Sequence, residues 1–353
     1  MRIGVSVLAL GLAAGIGLTA RPAPSASDRA RDPVPLAGNA LRGKTGLRLL
    51  VASDPPFVLD VDTGSVMPVP GVRAMSRGAL WVVGVGGRSA VVVARSAWKR
   101  AEIYAVRGRE ARVTSLGIGT NAWPAADGRA VWVQSAASGS RCTLRQMRLD
   151  GRRIRAPRPF PCAISDPAAG SLGLVARRTR VLDPHTGRLV LGTHWGVLAA
   201  AGTKLVLAGP GRGFTLLDGV TRAQQRLPWP SILGYRGRPA ADPQGRFVAL
   251  AFAVPTWNAQ TLPRGWKGGP LQALDVWLLD TNTGKLAQLP GMPAFVGIKQ
   301  TSLEWTGDGR LVLLGESNGK NLVAVWRPGQ RRLALRTVGL ERGGGSNSFA
   351  ILR

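Results

Sequence analysis

The sequence predicts an all-β chain built from about seven repeats of a four-stranded sheet, and three observations carry that prediction. First, from Leu47 onward the chain consists of short runs such as "LRLLVAS", "ALWVVGV", "RFVALAF" and "LVLLGE". These runs are rich in Val, Leu and Trp, are bounded by Gly, Pro, Asp and Asn, and show no sustained helical period. Second, the turn Asp-x-x-Thr-Gly is spelled at Asp60–Gly64, Asp183–Gly187 and Asp280–Gly284. Third, Leu-Asp pairs that end a strand recur at Asp60, Asp150, Asp183, Asp218 and Asp280, and weaker equivalents around Gly108 and Gly329 give a period of about 45 residues. Four short strands with their turns fill that length. A single such sheet cannot bury both faces, whereas sheets stacked radially about an axis can, which is a seven-bladed β-propeller.

In chain order, the first 26 residues read as an export signal or an N-terminal membrane anchor. Arg2 precedes an apolar run from Ile3 to Thr19, and small and proline-rich sequence follows, with cleavage expected near Ala20 or Ala26. Residues 27–46 read as a Pro/Ala/Arg-rich linker, and 47–353 as the propeller. The repeats fall at 47–72, 78–117, 122–158, 160–191, 193–230, 237–292 and 301–340. The first has room for only three strands, while the chain ends in "SNSFAILR", a strand without a hairpin partner. Phe349–Leu352 is therefore expected to supply the missing inner strand of the first blade and close the ring. In each repeated turn the aspartate accepts hydrogen bonds from N–H groups two or three residues on, and Gly64, Gly187 and Gly284 supply a positive φ. Cys142 and Cys162, the two cysteines of the chain, are expected to form a disulfide, because no nearby His or further Cys completes a metal set.

The segments "ADPQGRFVALAF" and "LDVWLLDTNTGKLAQLPG", with "WTGDGRLVLLGE" in the last repeat, resemble the TolB-like and WD-repeat-like propellers of bacteria. The likeness covers roughly residues 47–353 and is sharpest in the sixth and seventh repeats. It implies the propeller fold. It leaves function open, since propellers host binding platforms, transport accessories and enzymes.

Charge and motif content narrow the function classes. Against 19 Asp+Glu stand 47 Lys+Arg, a net +28 that favours polyanions, although the abundance of Arg, Ala, Gly and Pro is also what GC-rich coding produces. No nucleic-acid module is spelled, so no specific nucleic-acid partner is expected. His185 and His194 are the two histidines, and no nucleophile elbow, zinc signature or phosphate loop occurs, so no metal and no cofactor are expected. The expected site lies on the face that carries the loops between blades and between second and third strands. It comprises Trp123, His194, Trp195, Trp229, Tyr235 and Arg236, with Trp257, Arg264, Trp266 and Lys267 on a long insertion in the sixth repeat. Aromatic and Arg groups on a rigid face are favoured at recognition hot spots. The same Trp residues would otherwise seal gaps between blades, the role expected for Trp277 and Trp326. A second region, Arg141, Arg145, Arg148, Arg152, Arg153, Arg155 and Arg158, forms a basic strip in the outer hairpin of the third repeat. The sequence thus reads as an exported monomeric, non-catalytic scaffold for a protein or cell-envelope polymer. Two alternatives stand beside it: a hydrolase- or lactonase-like enzyme working in the central channel, and a binder of anionic polymers or lipid surfaces.

Overall fold

The structure is a computed structural model. It describes residues 38–353 apart from 73–79, 98–99, 137–140, 163, 166–169, 210–212, 232–238, 254–272, 293, 296–301, 318–319 and 341–347. Seven antiparallel sheets form the ring. From the axis outward, blade 1 is Phe349–Leu352, Arg48–Val51, Phe57–Asp60 and Val66–Pro68. Blade 2 is Leu80–Val85, Ser89–Ala97, Arg100–Arg107 and Arg112–Gly119. Blade 3 is Asn121–Pro124, Ala130–Ala136, Arg141–Arg148 and Arg153–Pro161. Blade 4 is short-stranded, with Ile164–Ser165, Leu174–Ala176, Arg180–Leu182 and Leu189–Gly192. Blade 5 is Val197–Ala201, Lys204–Ala208, Gly213–Asp218 and Gln224–Pro228. Blade 6 is Ala240–Ala241, Phe247–Ala253, Ala273–Asp280 and Lys285–Gln288, with Ala294–Phe295 pairing on Ala273–Asp280. Blade 7 is Ser302–Trp305, Leu311–Ser317, Lys320–Trp326 and Leu333–Thr337.

The core lies between blades. Seven apolar clusters fill the seven gaps, because alternate residues of each strand point to opposite faces of its sheet and each face meets a neighbour. In the closing strand, Phe349 and Ile351 face blade 7, while Ala350 and Leu352 face blade 2. This strand pairs Arg48↔Leu352 through Val51↔Phe349, so blade 1 is made from both ends of the propeller, as the sequence predicts.

The N-terminal side of blade 1 adds a feature that the sequence does not signal. Gly38–Ala40, within the segment read as linker, pairs in parallel with Leu333–Leu335 and becomes a fifth strand on the rim of blade 7. The Arg336 guanidinium fastens the chain just beyond that strand by donating to the carbonyls of Leu41 (2.8 Å) and Gly43 (2.9 Å) and to the Asp62 carboxylate (2.9 Å). Asp62 also accepts from the N–H groups of Thr45 (2.8 Å) and Gly46 (2.7 Å). Burial pushes the Asp62 carboxyl up, but the bonds from Thr45, Gly46 and Arg336 outweigh it and hold the group at about 2.

The repeated turns behave as their chemistry dictates. Asp60 Oδ1 accepts from the N–H groups of Asp62 (3.0 Å) and Thr63 (3.1 Å), and Asp280 Oδ1 from Asn282 and Thr283. Gly64, Gly187 and Gly284 close these turns at φ 74°, 72° and 70°. The turns between inner and second strands converge near the axis on the same face. There a Cβ on Gly86 of blade 2 would lie 2.6 Å from the carbonyl oxygen of Gly128 of blade 3, and one on Gly170 of blade 4 would lie 2.4 Å from that of Gly202 of blade 5. Only glycine permits that approach.

Candidate functional site

The propeller has a turn face, which carries these aspartate turns, and an opposite loop face. Strand directions place the connections between successive blades, and between second and third strands, on the loop face, where the sequence locates the binding site. Tyr235, Arg236, Trp257, Arg264, Trp266 and Lys267 all lie outside the described residues.

Of the described residues, Trp123 departs from the expectation. It stands in the inner strand Asn121–Pro124, is 2% exposed, and fills the gap between blades 3 and 4 with Trp132, Leu144 and Phe160. Its place is inside a strand, where alternation turns it into the core. Trp229 also serves packing. It stacks on Phe214 at 4.9 Å and meets Phe252 edge-on at 5.2 Å in the gap between blades 5 and 6. His194 remains exposed with its ring edge-on to Trp195 at 4.6 Å, and Trp195 is partly buried against the cluster between blades 4 and 5. Beside them the Arg177-Arg178 hairpin turn holds both residues at positive φ, 51° and 64°, where L side chains are strained. Trp277 and Trp326 pack between blades, as expected.

The basic strip divides. Arg141 begins its strand, and nothing further is described of its side chain. Arg145 turns back onto blade 2 and donates to the carbonyls of Leu116 (3.0 Å) and Ile118 (2.9 Å). Burial pushes its guanidinium down from the ordinary value, as it does that of Arg158, which lies over the Phe160 ring. Arg148 pairs with Asp150 at 3.5 Å, and Arg152, Arg153 and Arg155 are exposed. Cys142 and Cys162 form the disulfide, with Cα atoms 5.0 Å apart, at the loop-face end of the same hairpin.

Two cavities lined by described residues open on the turn face. One of about 290 Å³ lies between blades 3 and 4, lined by Trp132, Gln146, Asp127, Asp183, His185 and the segment 170–174, among others. A second, of about 390 Å³, sits at the channel mouth against Ala199–Gly202 and Asp242–Gly245. The two share the wall Pro124–Ala126 with Gly170 and Ser171. The carboxylates at their rims are already engaged. Asp127 accepts from Arg129 N–H (2.9 Å), Asp183 from His185 N–H (2.7 Å) and Thr186 Oγ1 (2.6 Å), and Asp242 from the N–H groups of Arg246 and Phe247, both at 2.7 Å. Gln146 is different: it is 7% exposed, lines the first cavity, and its amide makes no hydrogen bond with any described residue.

Among the described residues, the inner strands carry one acid, Glu304. It points toward blade 2, where its Oε1 comes 2.5 Å from the point a Cβ of Gly84 would occupy. Burial pushes its carboxyl up to about 8. Sequence reasoning misses both Gln146 and Glu304. A signal for Gln146 is present, because Cys142, Leu144 and Gln146 share one face of their strand and the first two are core. Nothing local marks Glu304, whose neighbour on blade 2 is some 220 residues away in the chain.

No family model and no curated protein sequence matches this chain. Among solved structures, a chain of the mitotic checkpoint complex superposes with TM-score 0.50 at 14% identity, covering 91% of this chain and 99% of that one. TolB from Acinetobacter baumannii gives 0.47 at 13%, covering 88% and 68%. A putative 6-phosphogluconolactonase from Bacteroides uniformis gives 0.47 at 13%, covering 82% and 94%. At such identities the likeness concerns the fold alone: this chain is a seven-bladed β-propeller.

Proposed function

We propose that the protein is an exported, extracytoplasmic propeller that binds a protein or cell-envelope polymer on its loop face and performs no chemistry of its own. The observation that carries this is the use the fold makes of its acids. Asp60, Asp127, Asp150, Asp183, Asp218, Asp242 and Asp280 each accept backbone N–H groups in turns, and Asp308 is paired with Arg310, Arg327 and Arg353. Carboxylates so engaged hold a scaffold rigid and are poor general bases. Export is supported by the apolar run Ile3–Thr19 and by the disulfide, which oxidising compartments preserve. Exposed His194 beside Trp195 supports the loop face as the contact surface. The test is capture from an envelope extract, comparing the wild type with Trp257→Ala/Trp266→Ala. A discrete partner retained by the wild type and lost by the double variant is expected. Equal capture by both removes the insertion from the site.

Glu304 favours a second reading, a hydrolase- or lactonase-like enzyme using the channel. A carboxyl that keeps its proton to about pH 8 is suited to act as a general acid. Turnover of lactone or ester substrates that Glu304→Gln abolishes would decide for this enzyme.

A further inference from the structure

The cavity between blades 3 and 4 has features that the binding role of the loop face does not use. Its buried polar group, Gln146, offers one carbonyl acceptor and two N–H donors to the cavity and spends none of them within the described structure. The residue is buried as a whole while its amide atoms open on the cavity, so a molecule seated there would meet donors and an acceptor that no protein group occupies. The neighbouring strand Arg153–Pro161 bulges beside it, while plain alternation keeps Gln146 on the inward face with Cys142 and Leu144. The pairing of Arg141–Arg148 with Arg153–Pro161 slips on both sides of Gln146, from Leu144↔Arg158 to Gln146↔Arg155 to Met147↔Arg153. Pro157, which lacks an N–H, falls inside the first slip. Bulges of this kind are over-represented beside functional sites.

The remaining walls select the ligand's chemistry. Pro124, Ala125, Leu172, Leu174 and Pro184 are apolar, and Trp132 packs behind them with its ring edge-on to His185 at 5.0 Å. The two rim carboxylates disfavour an anion even on a protein of net charge +28. They also make a poor cation site, because Asp127 and Asp183 already accept turn hydrogen bonds. The group that fits is neutral, with one donor, one acceptor and a small apolar end. We propose that this cavity is a binding site for a secondary amide, an acylamino group whose C=O and N–H pair with Gln146 while its alkyl end fills the apolar wall. Such a group occurs in N-acetylated sugars and in peptides. The site is on the face opposite the proposed partner surface, so either assignment can fail without the other.

Titration calorimetry on the full chain tests it with four probes: N-acetylglucosamine, N-acetylalanine methylamide, and the controls glucose and alanine. Binding of an acylated probe with no binding of its control is expected, and the acylated probe that binds identifies the source as sugar or peptide, or both. Gln146→Leu should weaken that binding at least tenfold while melting near the wild-type temperature, because the side chain keeps its volume and the lost amide has no protein partner. Ala126→Phe, at an exposed position on the shared wall, should block entry and give the same loss without touching Gln146. Two results overturn the proposal: neither acylated probe binds up to its solubility, or binding survives both substitutions within twofold.

Discussion

Arg222 shows how tightly a repeated turn constrains single residues. It occupies the fifth position of the Asp218 turn, where the equivalent turns place Gly64, Gly187 and Gly284, and it adopts φ 66° with its N–H on the Asp218 carbonyl. A left-handed L residue costs about 1–2 kcal/mol, and glycine's extra freedom in the unfolded chain returns part of that. Arg222→Gly is therefore expected to raise stability by about 0.5–1 kcal/mol in urea unfolding. Gly284→Ala should lower it, because at φ 70° an L side chain is strained and the Gln225 amide would have to swing aside. Glu304 makes a pH-dependent prediction. In the unfolded chain its carboxyl ionises near the ordinary 4.5, whereas in the fold it keeps its proton to about 8. Below 4.5 both states are protonated and nothing is lost. Between these values the unfolded state alone ionises, so stability falls as pH rises and levels off above about 8. Melting curves of wild type and Glu304→Gln between pH 5 and 9 check this. The wild type should lose stability relative to the variant across that range, and parallel curves would show that Glu304 ionises in the fold as it does in the unfolded chain.

At the scale of elements, the sequence makes most of the ring legible, because its signals are local. A turn that needs Asp at its start and Gly at its end, repeated at a near-constant spacing, locates the hairpins. Two apolar strands without partners at opposite ends of the propeller must then find each other. The closing strand carries much of the stability. Phe349, Ile351 and Leu352 are no more than 3% exposed, and at about 1.5–3 kcal/mol each their burial is worth about 5–9 kcal/mol. A domain's whole margin is about 5–15 kcal/mol, so deleting residues 348–353 is expected to abolish the cooperative melting transition. The disulfide has a smaller share. Cys142→Ser/Cys162→Ser should cost about 3 kcal/mol, measured by urea unfolding against the oxidised wild type. The illegible elements lack a local signal. Gly38–Ala40 is "GNA", a sequence with no β-propensity, and it is a strand only because the edge of Leu333–Thr337 offers backbone partners and Arg336 ties down Leu41 and Gly43 just beyond it. Trp123 is expected in a segment between blades, yet it lies in a strand whose pairing Trp132↔Trp123 seals the core.

For the whole molecule, the dominant quantity is the net charge of +28, and the fold shows how it is distributed. Much of the acidic minority is consumed locally by cations: Arg48 pairs with Asp60, Lys204 with Asp218, Arg246 with Asp280, and Arg336 with Asp62. Each pair neutralises one positive charge and leaves the remaining arginines to set the long-range field. The basic strip is a small part of that field, since Arg145 and Arg158 are spent on packing and Arg148 faces Asp150. A field spread over the surface attracts polyanions without a defined footprint and weakens steeply as salt shortens its range, to about 10 Å at 0.1 M. The protein should therefore be retained on heparin and on cardiolipin vesicles at low salt, with retention falling sharply as salt rises. Replacing Arg152, Arg153 and Arg155 together by Ala removes three exposed charges from a surplus of 28, so the eluting salt concentration should drop only slightly. Elution of the triple variant at the salt of a neutral control protein would instead locate the contact on the rim of blade 3. The attraction would then belong to a built surface and not to composition.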